Sequence, residues 1–447
     1  MSSSSERKAV HLGAFDAEAS WRDPDLARLP ALQDPDSRRI VSSMDELLFA
    51  GCRPGDLLLT RQAMDEAFVH YLEMLGFSFL HNRVSLDGEG GQGSIFDLLL
   101  CSPPRGVLAL LAGVEEVSPY AIVTNTGIFA QRYCPAWSGP ELPSVIRVNS
   151  KTWSHQVAAE LNLKRCGCQV KGAAELLHEG KRFLGEGKIV LKDPFGVSGR
   201  GSLVVESERV LASIAAFLAA QERSGKRVSL LIEPLLAKSL DFSCHLRIDR
   251  EGRVQFLGVQ QMLNRGLAFG GSCRLAGERT DALWESRYFQ EMEAVSARLF
   301  KDGYWGDVCV DSMWLQDGSV VPVVEINARK SMGLINQRLD AHFGSLGRSS
   351  YLSFFSVGRA KALPFCELLD HLESDCLLCT VNRPCGIMPL SAATLPAGPE
   401  PTDAPRPAPR MCRGRFYFSI LAPAEDREAF REKLSSSLKQ SGFLIYG

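Results

Sequence analysis

The chain has 447 residues, enough for about three domains of ordinary size. Hydrophobic residues make up 45% and charged residues 23%, which excludes collagen, a disulfide mini-protein and bulk disorder. Lys plus Arg is 50 and Asp plus Glu is 52, so the formal charge is -2 and the basic excess of a dedicated nucleic-acid binder is missing.

The N-terminus, Met1 to Lys8, is polar and has no apolar stretch behind it, which argues against a secretory signal. Residues 1–40 alternate Ser, Pro, Asp and Arg and read as a poorly ordered segment. An N-terminal α/β domain is expected over 41–148. Met44–Leu48 reads as a short helix and Asp56–Thr60 as a buried strand. Met64–Leu75 carries apolar residues at helical spacing, and Phe77–Leu80 reads as a strand. This rhythm continues through a strand at Ala121–Val123 and implies parallel pairing. The longest apolar run, Val107–Val114, meets Glu115 and Glu116 at once and falls short of the ~18 residues that span a bilayer, so no membrane association is expected.

The second segment runs over 149–340. Lys151–Leu163 is helix-like, Lys188–Lys192 and Ser202–Val205 are strands, and Arg209–Gln221 is a helix. Val228–Glu233 is a strand, and Phe242–Ile248 with Val254–Gln260 form a hairpin around Asp249-Arg250-Glu251-Gly252. Asp281–Phe300 reads as one long helix, followed by a second hairpin of Val308–Met313 and Val320–Ile326. From about 345 a helical stretch is expected, then a Pro-rich linker at 396–409 and a β–α–β-like piece from Arg415 to Tyr446. Together 341–447 form a small C-terminal extension.

Two motifs carry chemistry. In Lys192-Asp193-Pro194-Phe195-Gly196-Val197-Ser198-Gly199-Arg200-Gly201 a strand ends on a Lys and three glycines follow before the next strand. Glycines let consecutive N–H groups approach an anion, and the Lys adds a point charge for phosphate. A hairpin turn beside a chance Lys would look the same in isolation. The second motif is Asp311 on one strand with Glu325-Ile326-Asn327 on its hairpin partner. Alternation puts Glu325 and Asn327 on one face, and pairing brings Asp311 beside them. Two carboxylates and an amide oxygen suit Mg²⁺ shared with phosphate oxygens. Solvated charges at a strand end would explain any one of the three alone; the joint pattern is harder to explain that way.

The order of these pieces resembles the ATP-grasp superfamily, in its carboxylate–amine ligase type. The matching residues are Asn149-Ser150-Lys151, Lys192 to Gly201, Leu230 to Leu236, Asp241 to Cys244, Gly306 to Asp311 and Glu325 to Arg329. The resemblance implies a two-lobed α+β core behind a preceding α/β domain. It implies ATP and Mg²⁺ as cofactors, with Mn²⁺ able to replace the latter. Lys151 and Lys192 would meet the phosphates under the Gly196–Gly201 loop, which includes Ser198 and Gly199. Glu233 and Leu235 would sit at the adenine and Asp241 near the ribose. Asp311, Glu325 and Asn327 would hold Mg²⁺. Arg329 would face the acyl phosphate, with Arg265 meeting phosphate or a substrate carboxylate. The expected partners are a small-molecule carboxylate and amine, such as amino acids, with no nucleic acid; a homodimer follows from the family's tendency to pair. A thiol or peptide-borne acceptor, and a non-catalytic nucleotide-binding module, are the alternatives.

The 13 cysteines are odd in number and scattered, which favours reduced thiols and a cytoplasmic location. Cys376, Cys379 and Cys385 with His371 have partial zinc spacing without an evident fourth ligand of strength. His245 reads as a core histidine or as a group facing the nucleotide.

Overall fold

The computed structural model describes residues 8–30, 35–86, 93–196, 201–344, 347–397 and 411–446. The first sheet is fully parallel, in the order β3-β2-β1-β4, from β1 (Ala9–Leu12), β2 (Leu57–Leu59), β3 (Leu80–His81) and β4 (Glu116–Pro119). Strands β1 and β2 are buried along their whole length, which is why Leu57-Leu58-Leu59 reads as an unbroken apolar run.

The sheet corrects the expectation of a poorly ordered 1–40. Ala9–Leu12 is an inner strand, and Trp21 is buried with its indole N–H donated to the Ile122 carbonyl at 2.9 Å. The strand is only four residues long, too short to show a period in the sequence. Ala121–Val123 is not a strand; the ladder uses Glu116–Pro119 instead. Met44–Leu48 lies within a 3₁₀ helix, Ser43–Gly51.

The second sheet is antiparallel, in the order β5-β8-β6-β7, from β5 (Cys168–Val170), β6 (Ile189–Lys192), β7 (Ser202–Val205) and β8 (Leu230–Pro234). Helices Ala173–Leu184 and Glu208–Arg223 cover it through Leu176, Leu211 and Leu218. This small lobe has a core of its own, separate from the main one.

The third sheet has nine strands: β9 (Lys238–Ile248), β10 (Val254–Arg265), β11 (Ala268–Arg274), β12 (Gly306–Leu315), β13 (Val320–Asn327), β14 (Ser350–Arg359), β15 (Gly386–Pro389), β16 (Cys412–Leu421) and β17 (Leu444–Tyr446). Its order is β13-β12-β9-β10-β11-β14-β16-β15, with β17 on β14. The expected helical stretch from 345 begins as strand β14, because it is paired to β11, β16 and β17 and the ladders override helical periodicity. The C-terminal region therefore continues the large sheet, and one hydrophobic core runs from Val10 through Val310 to Phe443. The expected helix Asp281–Phe300 is two helices, Gly277–Glu285 and Tyr288–Lys301. Ser286 breaks it with an extended backbone, and its hydroxyl accepts from the Tyr288 N–H at 3.1 Å where the next helix starts. The Pro-rich segment 398–409 lies outside the described residues. Among the described residues no helix is long and apolar enough to cross a membrane.

Candidate active site

A cavity of about 280 Å³ opens between the small lobe and the large sheet, with the N-terminal unit closing one side. Its walls bring together Lys151, Lys192, Gly196, Asp241, Asp311, Glu325, Asn327 and Arg329.

Strand β6 delivers Lys192 opposite Ser202, where β7 begins. Between them the Asp193 N–H donates to the Gly201 carbonyl at 2.7 Å and closes the base of the loop. Gly201 has φ +83°, and a Cβ there would stand 2.9 Å from Gly196 Cα, so a glycine is required twice over. Ser198 and Gly199 lie outside the described residues. Lys192 Nζ pairs with Glu233 Oε2 at 2.6 Å, because Glu233 on β8 faces the same side of the sheet. Lys151 opens the helix Lys151–Glu160; its backbone N–H donates to Pro194 O at 3.0 Å. Its Nζ donates to Gly196 O and to Glu325 Oε1, both at 2.5 Å. This amine thus bridges the loop and the carboxylates.

Asp311 on β12 stands directly opposite Glu325 on β13, and Cys309 opposite Asn327. Asn327 Nδ2 donates to Asp311 Oδ2 at 3.1 Å. Burial, reinforced by the negative charge of Glu325, pushes the Asp311 carboxyl up to about 7. Two like charges forced side by side are a hard-oxygen pair that a divalent cation would relieve, while Asn327 turns its amide N–H to Asp311 and its oxygen to Arg329. Among the described residues no group of three or more His, Cys, Asp and Glu could hold a metal. The Asp311–Glu325 pair could hold Mg²⁺, which takes few protein ligands and completes its shell with water and phosphate.

Arg329 extends from the same strand end. Its Nη2 donates to Asn327 Oδ1 at 3.1 Å, its Nε to Glu18 Oε1 at 2.7 Å and its Nη1 to Tyr120 Oη at 3.3 Å. Burial opposes its charge, and Glu18 beside it more than compensates, holding the guanidinium protonated beyond its usual range. Glu18 belongs to the segment whose sequence looked unstructured. Four residues on, Arg22 Nη2 donates to Asp193 Oδ2 at 2.7 Å, with both side chains buried. The short helix Ala17–Trp21 and its cap thus grip both Arg329 and the base of the glycine loop. No periodicity or motif announces this, because each contact joins residues far apart in sequence.

Two expected residues are corrected. Arg265 is exposed and lines a shallow depression with Glu428 and Arg431, while its neighbour Asn264 faces the cleft; strand alternation separates them. Leu235 is exposed outside the cleft, and its N–H is already donated to the Lys188 carbonyl at 2.8 Å, so it is not a free donor for a base. Asp241 does reach the cleft, where Asn264 Nδ2 donates to it at 2.8 Å and Lys238 pairs with it. His245 is buried and its Nε2 bonds Ser331 Oγ at 2.8 Å, making it a core group beside the site. Cys379 is buried and bonds Pro384 O, while Cys376 and Cys385 are exposed. Phe354, Arg415 and Tyr417, from the C-terminal strands, also line the cleft. Nothing in their local sequence marked them.

No family model matches the chain. It is 24% identical over 313 residues to the [butirosin acyl-carrier protein]–L-glutamate ligase of Niallia circulans, covering 67% of each protein. Among solved structures it is similar to a biotin carboxylase–β,γ-ATP complex from Campylobacter jejuni, with a TM-score of 0.52 at 16% identity over 100% of this chain and 93% of the other. It is also similar to the N5-carboxyaminoimidazole synthetase of Staphylococcus aureus complexed with ADP, with a TM-score of 0.51 at 10% identity over 96% of both chains. At these identities the structural likeness establishes the fold.

Proposed function

We propose that this chain, which has the ATP-grasp fold, is a ligase that joins a carboxylate to an amine with ATP and Mg²⁺, through an acyl phosphate. ATP supplies the phosphoryl group and Mg²⁺ the charge that shields its β- and γ-phosphates. Lys151 and Lys192 hold the phosphates from two sides. Asp311 and Glu325, with Asn327 beside them, would hold the cation. Arg329, fixed by Glu18 and Tyr120, stabilises the negative charge that grows as the amine adds to the acyl carbon. The protein positions and neutralises rather than attacks. Cys309 lines the cleft, but burial, followed by the Asp311 charge, pushes its thiol well above the usual range, so it does not form the thiolate a covalent route needs.

The observation that carries this reading is the convergence of two lysines, a carboxylate pair and a buried arginine on one cleft. The test is ADP release over amino acids supplied in pairs, with mass spectrometry of the products. The reading requires ADP and a product lighter by one water than the sum of its substrates. ATP binding without ADP release for every pair would replace the ligase with a nucleotide-binding module.

The acceptor can be larger than a small molecule. The Niallia circulans relative is named for an acyl-carrier protein and L-glutamate, which favours a carrier-borne acceptor as a second reading. Adding a phosphopantetheinylated carrier protein to the same screen separates the two.

A further inference from the structure

Five cationic side chains line the cleft: Lys151, Lys192, Lys238, Arg329 and Arg415. Four have a carboxylate partner, respectively Glu325, Glu233, Asp241 and Glu18. Arg415 has none among the described residues. Its Nη1 donates to Tyr417 Oη at 2.9 Å, and its guanidinium lies 4.6 Å from the centre of the Phe354 ring. Both contacts are with aromatic groups that fix its orientation without neutralising it. The strand register explains the arrangement. Arg415 and Tyr417 are two apart on β16 and share a face, and Phe354 on β14 is paired directly with Tyr417. Tyr417 is itself fully buried, its hydroxyl held at 3.4 Å from Met44 Sδ.

An immobilised guanidinium, partly desolvated and lacking a counter-ion, is a preorganised site for a carboxylate, to which its planar fork can donate two hydrogen bonds. The triphosphate end of the cleft is already supplied with Lys151, Lys192 and the cation pair. On the other side, Tyr120 touches Arg329, and both line the same cavity as Arg415 and Tyr417. Arg329 and Arg415 therefore face one cavity, with Tyr120 beside the first and Tyr417 beside the second.

We propose that Arg415 binds the second, non-reacting carboxylate of an amino-acid substrate while the reacting carboxylate lies at Arg329, so that the enzyme selects an amino dicarboxylic acid. This rests on the ligase reading for the identity of the reacting end. Arg415 would be a specificity residue contributed by the C-terminal strands, and this gives those strands a part in the site.

The test is calorimetric titration of the full chain, with Mg²⁺ and a nonhydrolysable ATP analogue present, using L-glutamate, L-glutamine and L-isoglutamine as probes. The wild type should bind L-glutamate at least about thirtyfold more tightly than one of the two amides, as loss of one partner of a desolvated charge pair implies. Which amide is penalised identifies whether the side-chain or the α-carboxylate sits on Arg415. Arg415→Met, which keeps the packed stem, should remove the preference and leave nucleotide affinity unchanged; Arg415→Lys should restore part of it. Equal binding of all three probes by the wild type, or a preference that survives in Arg415→Met, would overturn the proposal, as would an equal loss of nucleotide and glutamate binding. An Arg415-dependent preference without ADP release would sink the ligase reading alone. ADP release unaffected by Arg415→Met and equal for the amides would sink only the carboxylate site.

Discussion

Glu18→Gln probes how far the N-terminal segment has become part of the catalytic centre. Glu18 and Arg329 form an ion pair in which each side chain is only 8% exposed. Breaking a buried pair by removing one charge leaves the other uncompensated and costs about 3–5 kcal/mol. Glutamine keeps one acceptor oxygen for the guanidinium, so the expected loss is at the lower end, about 3 kcal/mol. Urea unfolding at pH 7, followed by tryptophan fluorescence, measures it. The wild type, Glu18→Gln, Arg329→Met and the double variant form a complete cycle. The double variant should be more stable than Glu18→Gln alone, because the orphaned charge is gone, and the interaction energy should exceed about 2 kcal/mol. ADP release should fall in Glu18→Gln, because Arg329 loses its brace, while nucleotide affinity is retained. An interaction energy below about 0.5 kcal/mol, the value of an exposed pair, would refute the reasoning.

Lys192→Met should lower kcat/KM for ATP about a hundredfold, the usual consequence of deleting one group that stabilises transferring charge; steady-state ADP release checks it, and an unchanged value removes Lys192 from the phosphate site. Gly201→Ala forces a Cβ at φ +83° against Gly196 Cα at 2.9 Å. It should cost about 1–2 kcal/mol of stability and raise KM for ATP, and unchanged values in thermal melts and kinetics would count against a tight loop base. His245 is held neutral by burial, its pKa lowered from 6.5 to about 4, with Asp307 opposing the shift only weakly. The unfolded chain therefore takes up the proton first as pH falls. The contribution of His245 to stability is complete above pH 6.5 and disappears as pH drops from 6.5 towards 4. His245→Gln should flatten the stability profile in that window by up to about 1.4 kcal/mol per pH unit, measured by urea unfolding at several pH values. Parallel profiles would mean the histidine is not buried neutral.

Strands β6 to β10 and the β12–β13 hairpin were the most readable part of the chain in sequence. Ser202–Val205 is a strand as expected, and the hairpins carrying Asp311 opposite Glu325 follow from period-2 alternation around Asp317-Gly318. The cleft could be placed because Lys192, Asp311, Glu325 and Asn327 lie on short, strongly patterned strands. What escaped was non-local. Ala9–Leu12 is too short to show a period, and Glu18 gains its meaning only from Arg329, 311 positions away. Arg265 misled because a basic residue after a strand looks like a phosphate ligand, and only the register decides which side of the ribbon it faces. Arg415 could not be found at all, since its place in the cleft depends on sheet order: β16 joins β14 in the same sheet as β12 and β13, which lie far upstream in the chain.

The most direct measurement is a crystal structure of the protein with Mn²⁺ and a nonhydrolysable ATP analogue, with the metal located by anomalous scattering. The account requires a Mn²⁺ peak bound by Asp311 and Glu325, with the triphosphate running between Lys151 and Lys192. A nucleotide elsewhere, or a metal bound without contact to either carboxylate, would contradict it.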